Sequence, residues 1–255
     1  MSNLWGSFQG KAELYSKFRP HYSHNYREYL IQKLQIDRKA RVADIGAGTG
    51  IHTKALIGIA GNIIAIEPNP EMLQQCLLTL GDCNNVKILL GSAEMTTLPD
   101  LSINYITVSQ AFHLFNKQNS LNEFKRILHP QGSLILVWIS KEHDNELFYE
   151  NEKAIKQFCP NYQRHIHARY FIKETFKNCF TSDTYTFVRI PNDSTEFLDK
   201  KTFIMRTLSA SYALNSSDKN YNALVQELGN VFDRYSDEGA VKVPQSTVIY
   251  HGKIK

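Results

Sequence analysis

Between residues 41 and 138 the chain switches repeatedly between short apolar runs and segments of helical period. "RVADI" (41–45), "NIIAIE" (62–67), "VKILLG" (86–91), "INYITVSQA" (103–111) and "SLILVWI" (133–139) read as five strands. They are apolar on both faces, as strands of a covered parallel sheet are. The intervening segments "TGIHTKALIGIA", "PEMLQQCLLTL" and "KQNSLNEFKRIL" carry helical spacing. Pro70 suits the first turn of its helix, and His129-Pro130 with Gly132 ends the third. Strands alternating with helices predict an α/β fold, a doubly wound parallel sheet with right-handed crossovers.

The pattern changes after residue 180. "TSDTYTFVRI" (181–190) and "STVIYHGKI" (246–254) alternate apolar and polar positions, which predicts antiparallel edge strands. Between them, two helical patterns in residues 194–236 predict a helical insertion forming a cap. We expect a single domain over 1–255, with N-terminal lid helices in 1–35 and a core in 36–140.

Composition narrows the function classes. The 255 residues are 42% hydrophobic with net charge +4, and the basic residues form no run, so no nucleic-acid partner is expected. The N-terminus lacks a leader-like apolar segment and no stretch approaches a membrane span, so no membrane partner is expected either. The four cysteines have no metal-like spacing and read as free thiols of a cytoplasmic protein.

The candidate chemistry begins at "VADIGAGTG", where an apolar strand stops at Asp44 and glycines follow at 46, 48 and 50. A dinucleotide fold would require G-x-G-x-x-G, but Ile51 holds the third position, and no G-K-[ST] follows for a P-loop. A carboxylate at Asp44 repels a pyrophosphate and suits a ligand with a cationic amine. S-adenosylmethionine fits that description. Glu67 closes the second strand, where a carboxylate can accept from both ribose hydroxyls. Ser92, Ala93 and Glu94 follow the third strand, where an adenine would lie, and "VSQAFHLF" ends the fourth at the cleft.

Together these stretches resemble the class I S-adenosylmethionine-dependent methyltransferases, and more closely the type-11 group near the trans-aconitate methyltransferases. "VADIGAGTG", "AIEPNPEM", "GSAEMTTLP" and "SQAFHLF" are similar to that family's cofactor motifs. Tyr15, Arg19, Pro20 and Tyr22 match an N-terminal "Y…RP.Y" segment, and Ser209–Tyr212 lies in the two-helix insertion. The resemblance implies a seven-stranded, mostly parallel sheet of Rossmann-like form. It implies that Asp44 and the loop residues Gly46, Ala47 and Gly48 hold the methionine arm, with the Gln110 carbonyl at its amine. Glu67, beside Pro68, would hold the ribose, Ala93 and Glu94 the adenine, and Met72 would pack on the ring. Leu114 stands where the group often has tryptophan, which predicts a less aromatic pocket floor.

Methyl transfer from a sulfonium needs alignment and exclusion of water, and a base only for a protonated nucleophile. His113 is the histidine placed to act as that base, or to shape the pocket by hydrogen bonding. Tyr15 and Tyr22 on the lid and Tyr212 in the insertion are candidate acceptor contacts, and Arg19 could meet the methionine carboxylate or a substrate anion. Arg164, His165, His167 and Arg169 form either a cation-rich acceptor wall or a solvated basic loop paired with the acidic stretch upstream. No third ligand accompanies the two histidines, so no metal is expected. The expected enzyme is a monomer that methylates an oxygen or nitrogen of a small molecule or natural product, releasing S-adenosylhomocysteine. Peptide or nucleic-acid N-methylation, a non-catalytic S-adenosylmethionine-binding protein and a dinucleotide oxidoreductase are the alternatives.

Overall fold

The computed structural model describes residues 8–141, 146–160, 162, 176, 179–181, 185–192 and 196–255. The five expected strands form where the apolar runs lie: β1 (Arg41–Ile45), β2 (Asn62–Glu67), β3 (Val86–Leu90), β4 (Ile103–Ser109) and β5 (Leu128–Lys141). With β6 (Thr186–Pro191) and β9 (Gln245–Gly252) they make a seven-stranded sheet in the order β3-β2-β1-β4-β5-β9-β6. The pairs from β3 through β5 are parallel, and β9 runs antiparallel to both β5 and β6. The order reverses between β1 and β4, so their carboxyl ends open a crevice, the usual ligand position in such a sheet.

Alternation along the strands builds two cores. On one face Ala43, Ile45, Ile106 and Leu136 pack beneath Phe124 and Ile127 of α5 (Lys117–Ile127). On the other, Val42, Ile63 and Ile135 meet Tyr26 and Leu30 of α2 (His24–Gln32) and Leu56 of α3 (Ile51–Leu56). The helices start where short polar side chains satisfy the first backbone N–H groups. Asn69 caps α4 (Pro70–Leu80), Asn116 caps α5, and Ser23 caps α2. Met72, Cys76 and Leu80 recur every fourth residue and form the buried face of α4.

The cap has a core of its own. It joins α6 (Glu146–Phe158), α7 (Lys200–Leu208) and α8 (Tyr221–Tyr235), with β7 (Glu196–Leu198) paired antiparallel to β8 (Val241–Val243). The insertion is therefore not purely helical as expected: "EFL" (196–198) extends and pairs with "VKV" (241–243), burying Leu198, Val241 and Val243.

Two further expectations are corrected. Strand β9 is not an edge but lies between β5 and β6, and its polar Ser246 and Thr247 are buried. Arg189 donates to the Ser246 hydroxyl at 2.7 Å and Gln245 donates to Glu196 at 2.9 Å, whereas Thr247 Oγ1 and Gln245 Oε1 are buried without a hydrogen-bond partner among the described residues. Helix α2, expected as part of the lid, packs on the sheet face with Tyr26 and Leu30 fully buried, whereas α1 (Ala12–Phe18) places Tyr15 on the cavity. No helix among the described residues is long and apolar enough to cross a membrane. All four cysteines are free thiols.

Candidate functional site

A cavity of about 340 Å³ occupies the crevice, within the usual size of a small-molecule site. Gly46 and Gly48 line it from the loop after β1, Glu67 and Pro68 from the end of β2, and Met72 from the first turn of α4. Ser92, Ala93 and Glu94 follow β3, and Ser109, Gln110 and Ala111 follow β4. Phe8 and Tyr15 roof it from the N-terminal segment. Eight of the cofactor residues named from the sequence, Gly46, Gly48, Glu67, Pro68, Met72, Ala93, Glu94 and Gln110, thus line one cavity.

The glycine loop is shaped by its own hydrogen bonds. Gly46 and Ala47 N–H groups donate to the Ile66 carbonyl at 2.8 and 3.0 Å, and Gly50 N–H donates to the Ala47 carbonyl at 3.0 Å. Gly48 N–H donates to Glu67 Oε2 at 2.8 Å. These four amides are spent inside the protein, so the loop is not an amide nest for a pyrophosphate. Gly48 has φ +59° and a Cβ there would meet no protein atom within 4 Å, so bare backbone faces the cavity.

Glu67 also accepts from Asn69 N–H at 2.9 Å, so each oxygen holds one backbone donor and keeps a lone pair for a ligand. Burial raises its pKa above the usual glutamate value, against the lowering effect of the two backbone hydrogen bonds. Glu94 accepts from Asn116 N–H at 2.8 Å, tying the loop after β3 to the cap of α5. Gln110 takes the left-handed conformation at φ +58°, with its N–H on the Val137 carbonyl at 2.9 Å. Such a conformation costs about 1 kcal/mol or more in a residue with a Cβ, and it recurs at ligand sites.

Asp44 departs from its expected role. Its side chain is fully buried and does not line the cavity. His52 Nδ1 and Thr107 Oγ1 donate to Oδ1 at 2.9 and 3.0 Å, and Thr53 Oγ1 donates to Oδ2 at 2.6 Å. Burial opposes ionisation here, but the His52 ring and these hydrogen bonds outweigh it and hold the pKa below the usual range. Asp44 therefore ties the first turn of α3 to β4 from a buried position. Ala47 likewise stays off the cavity wall and packs towards α4.

His113 is corrected as well. It lies on the 3₁₀ turn Phe112–Leu114, is exposed, and does not line the cavity, whereas its neighbours Leu114 and Phe115 do. The turn points alternate side chains apart, which the linear motif does not reveal. Phe8, Tyr15 and Phe115 supply aromatic faces, so the missing tryptophan at Leu114 does not leave the pocket without them.

The remaining candidates are scattered. Tyr15 lines the cavity, and the Arg19 guanidinium sits over its outer ring face, 4.8 Å from the centroid, without lining the cavity itself. Tyr22 hydrogen-bonds Ser109 behind the wall. Tyr212 packs edge-on against Tyr162 at 4.8 Å, away from the cavity. Arg164, His165, His167 and Arg169 lie outside the described residues. No group of three or more metal-binding side chains occurs among the described residues. Sequence reasoning missed His52 and Tyr26, whose signal was only a buried helix face, and Phe8 and Asn119, which belong to no motif.

Comparison with known proteins bears on this geometry. Residues 43–136 match a family model described as a methyltransferase domain. An uncharacterised methyltransferase of Mycobacterium tuberculosis is 33% identical over 136 residues, which cover 53% of each chain. A Dictyostelium discoideum protein named as a methyltransferase is 33% identical over 181 residues, 67% of this chain and 66% of the other. The matched region thus spans about half the length of the first of these relatives, at 53%. The YcgJ protein of Bacillus subtilis superposes with a TM-score of 0.57 at 18% identity, covering 91% of this chain and 98% of that one.

Proposed function

We propose that this chain, whose residues 43–136 match a model described as a methyltransferase domain, transfers a methyl group from S-adenosylmethionine to an oxygen or nitrogen of a small-molecule acceptor. The observation that carries the reading is the character of the cavity wall. Glu67 and Glu94 are the charged residues lining it, both carboxylates, and the loop amides beside them are already bonded. That wall repels phosphate and suits a nucleoside that bears a sulfonium and an amine.

Glu67 would accept from the ribose hydroxyls, and the Ala93–Glu94 segment would meet the adenine edge above Met72. The Gln110 carbonyl, turned by its left-handed backbone, would accept from the amine. When bound, S-adenosylmethionine supplies a methyl group on a leaving group that needs no protonation. The protein then has to orient the acceptor and exclude water, and Phe8, Tyr15 and Phe115 are placed to do both. No histidine lines the cavity among the described residues, so a neutral amine, which needs no base and suits a carboxylate-lined wall, fits best. We further propose that the chain acts as a monomer on such an acceptor.

Calorimetry with S-adenosylhomocysteine and with NAD tests the reading. Saturable binding of the first and none of the second is expected. Binding of NAD alone would overturn it.

A further inference from the structure

The buried contacts behind the cavity join Asp44 and Tyr22, both expected in the site, to His52 and Tyr26, which were not. His52, on the first turn of α3, is only 3% exposed, and Asp44 and Tyr26 on either side of it are fully buried. The Asp44 carboxylate can only accept, so His52 Nδ1 carries the proton between them at 2.9 Å. His52 Nε2 is hydrogen-bonded to the Tyr26 hydroxyl at 2.7 Å. Burial raises the Tyr26 pKa well above its usual value, which keeps that hydroxyl protonated.

A second tyrosine closes the cluster. The Tyr22 ring packs edge-on to His52, with centroids 5.0 Å apart, and lies 4.9 Å from Tyr26. Its hydroxyl is hydrogen-bonded to Ser109, which lines the cavity. Tyr22 sits in the link between α1, whose Tyr15 roofs the cavity, and α2, which is fixed in the core. The link is where the roof would turn, and its tyrosine ring rests on His52.

We propose that His52 is a positioning residue that couples the roof to the donor wall: one ring nitrogen braces Asp44 behind the glycine loop, the other holds Tyr26, and the ring edge seats Tyr22 at the pivot of α1. The inference rests on the donor-site reading above. A packing role alone would make His52 matter for stability. Coupling makes it matter for how ligand binding is felt at the roof.

The test combines S-adenosylhomocysteine titration with amide hydrogen exchange of residues 12–18, in wild type, His52→Asn, Tyr26→Phe and the double variant. Asparagine can still donate to Asp44 from near the Nδ1 position but cannot reach Tyr26, whereas Tyr26→Phe removes one hydroxyl at constant ring shape. Unliganded melting curves follow the fold, and Tyr26→Phe carries the test if His52→Asn does not fold. Each single change should weaken ligand binding about tenfold, and the double change should weaken it about tenfold rather than a hundredfold, because both cut one connection. The ligand-induced slowing of exchange at 12–18 should disappear in every variant. Single-variant affinities within about twofold of wild type, effects that multiply in the double variant, or slowing that survives would overturn the coupling and leave the donor site standing. A wild type that does not bind S-adenosylhomocysteine would overturn the donor reading itself, and the coupling with it.

Discussion

Two glycines of the same loop do different things. Gly46 has φ +71°, and a Cβ there would lie 2.7 Å from the Ala111 Cβ and 3.0 Å from the Phe115 ring. Gly46→Ala should therefore cost about 2–4 kcal/mol in a denaturant titration, from overpacking and left-handed strain together. Gly48→Ala should cost only about 1–2 kcal/mol of strain, since no protein atom is near. It should nevertheless abolish S-adenosylhomocysteine binding by calorimetry, because the new methyl group occupies the cavity side. Normal binding by this variant would show that no ligand approaches that backbone. Glu67 adds a pH signature. Its folded pKa is raised, and the proposed ribose contacts require the ionised form. Affinity should be full well above that pKa and should fall as pH drops through a value higher than an ordinary glutamate's. Affinity flat down to the ordinary glutamate range would remove Glu67 from the contact. Asp44→Ala orphans three side-chain donors, so about 3 kcal/mol or more of stability should go with it, rather than ligand affinity alone. The motif identified Asp44 as important but not which way it faces, because a strand-end residue can point to the crevice or behind it.

At the scale of elements, what could be read from the sequence had a local cause. Helices α4 and α5 begin where Asn69 and Asn116 cap them, and β1 to β5 follow uninterrupted apolar runs. What could not be read depended on distant partners. β7 and β8 are three residues each and exist because they pair with one another across the two helices between them. β9 resembles an edge strand until Arg189 and Glu196 arrive to meet its polar side chains. The roof illustrates the same dependence. Helix α1 is held at its start by Lys11, whose ammonium donates to the carbonyls of Ala210 (2.8 Å) and Ala213 beyond α7. Arg206 of α7 holds its end, donating to the Phe18 carbonyl at 2.8 Å while paired with both oxygens of Glu196. Gly10 N–H donates to Glu71 of α4 at 2.6 Å. Arg206→Ala should thus cost about 2–3 kcal/mol and speed proteolysis within 12–18, because it breaks a largely buried ion pair and frees one end of α1. Unchanged cleavage there would show that the roof is held elsewhere.

For the molecule as a whole, the doubly wound parallel sheet was legible because alternating strands and helices admit few topologies, whereas the inner position of β9 was not. The donor wall follows from the parallel sheet, since the carboxyl ends of β1, β2 and β4 converge wherever such a sheet reverses direction. The acceptor side was far less legible: its candidates came from loops and a cap whose residues share no periodicity with the sheet. The described cap instead builds a separate core around Leu224, Leu228 and Phe232, and reaches the cavity through the α1 roof. The central claim, that the cavity is the methyl-donor site, is tested most directly by a crystal structure with S-adenosylhomocysteine. The account predicts adenine beside Met72 and Ala93, ribose hydroxyls on Glu67, and the amino-acid arm along Gly46 and Gly48 towards Gln110. A nucleoside bound anywhere else, or in this cavity without contact to Glu67, would contradict it.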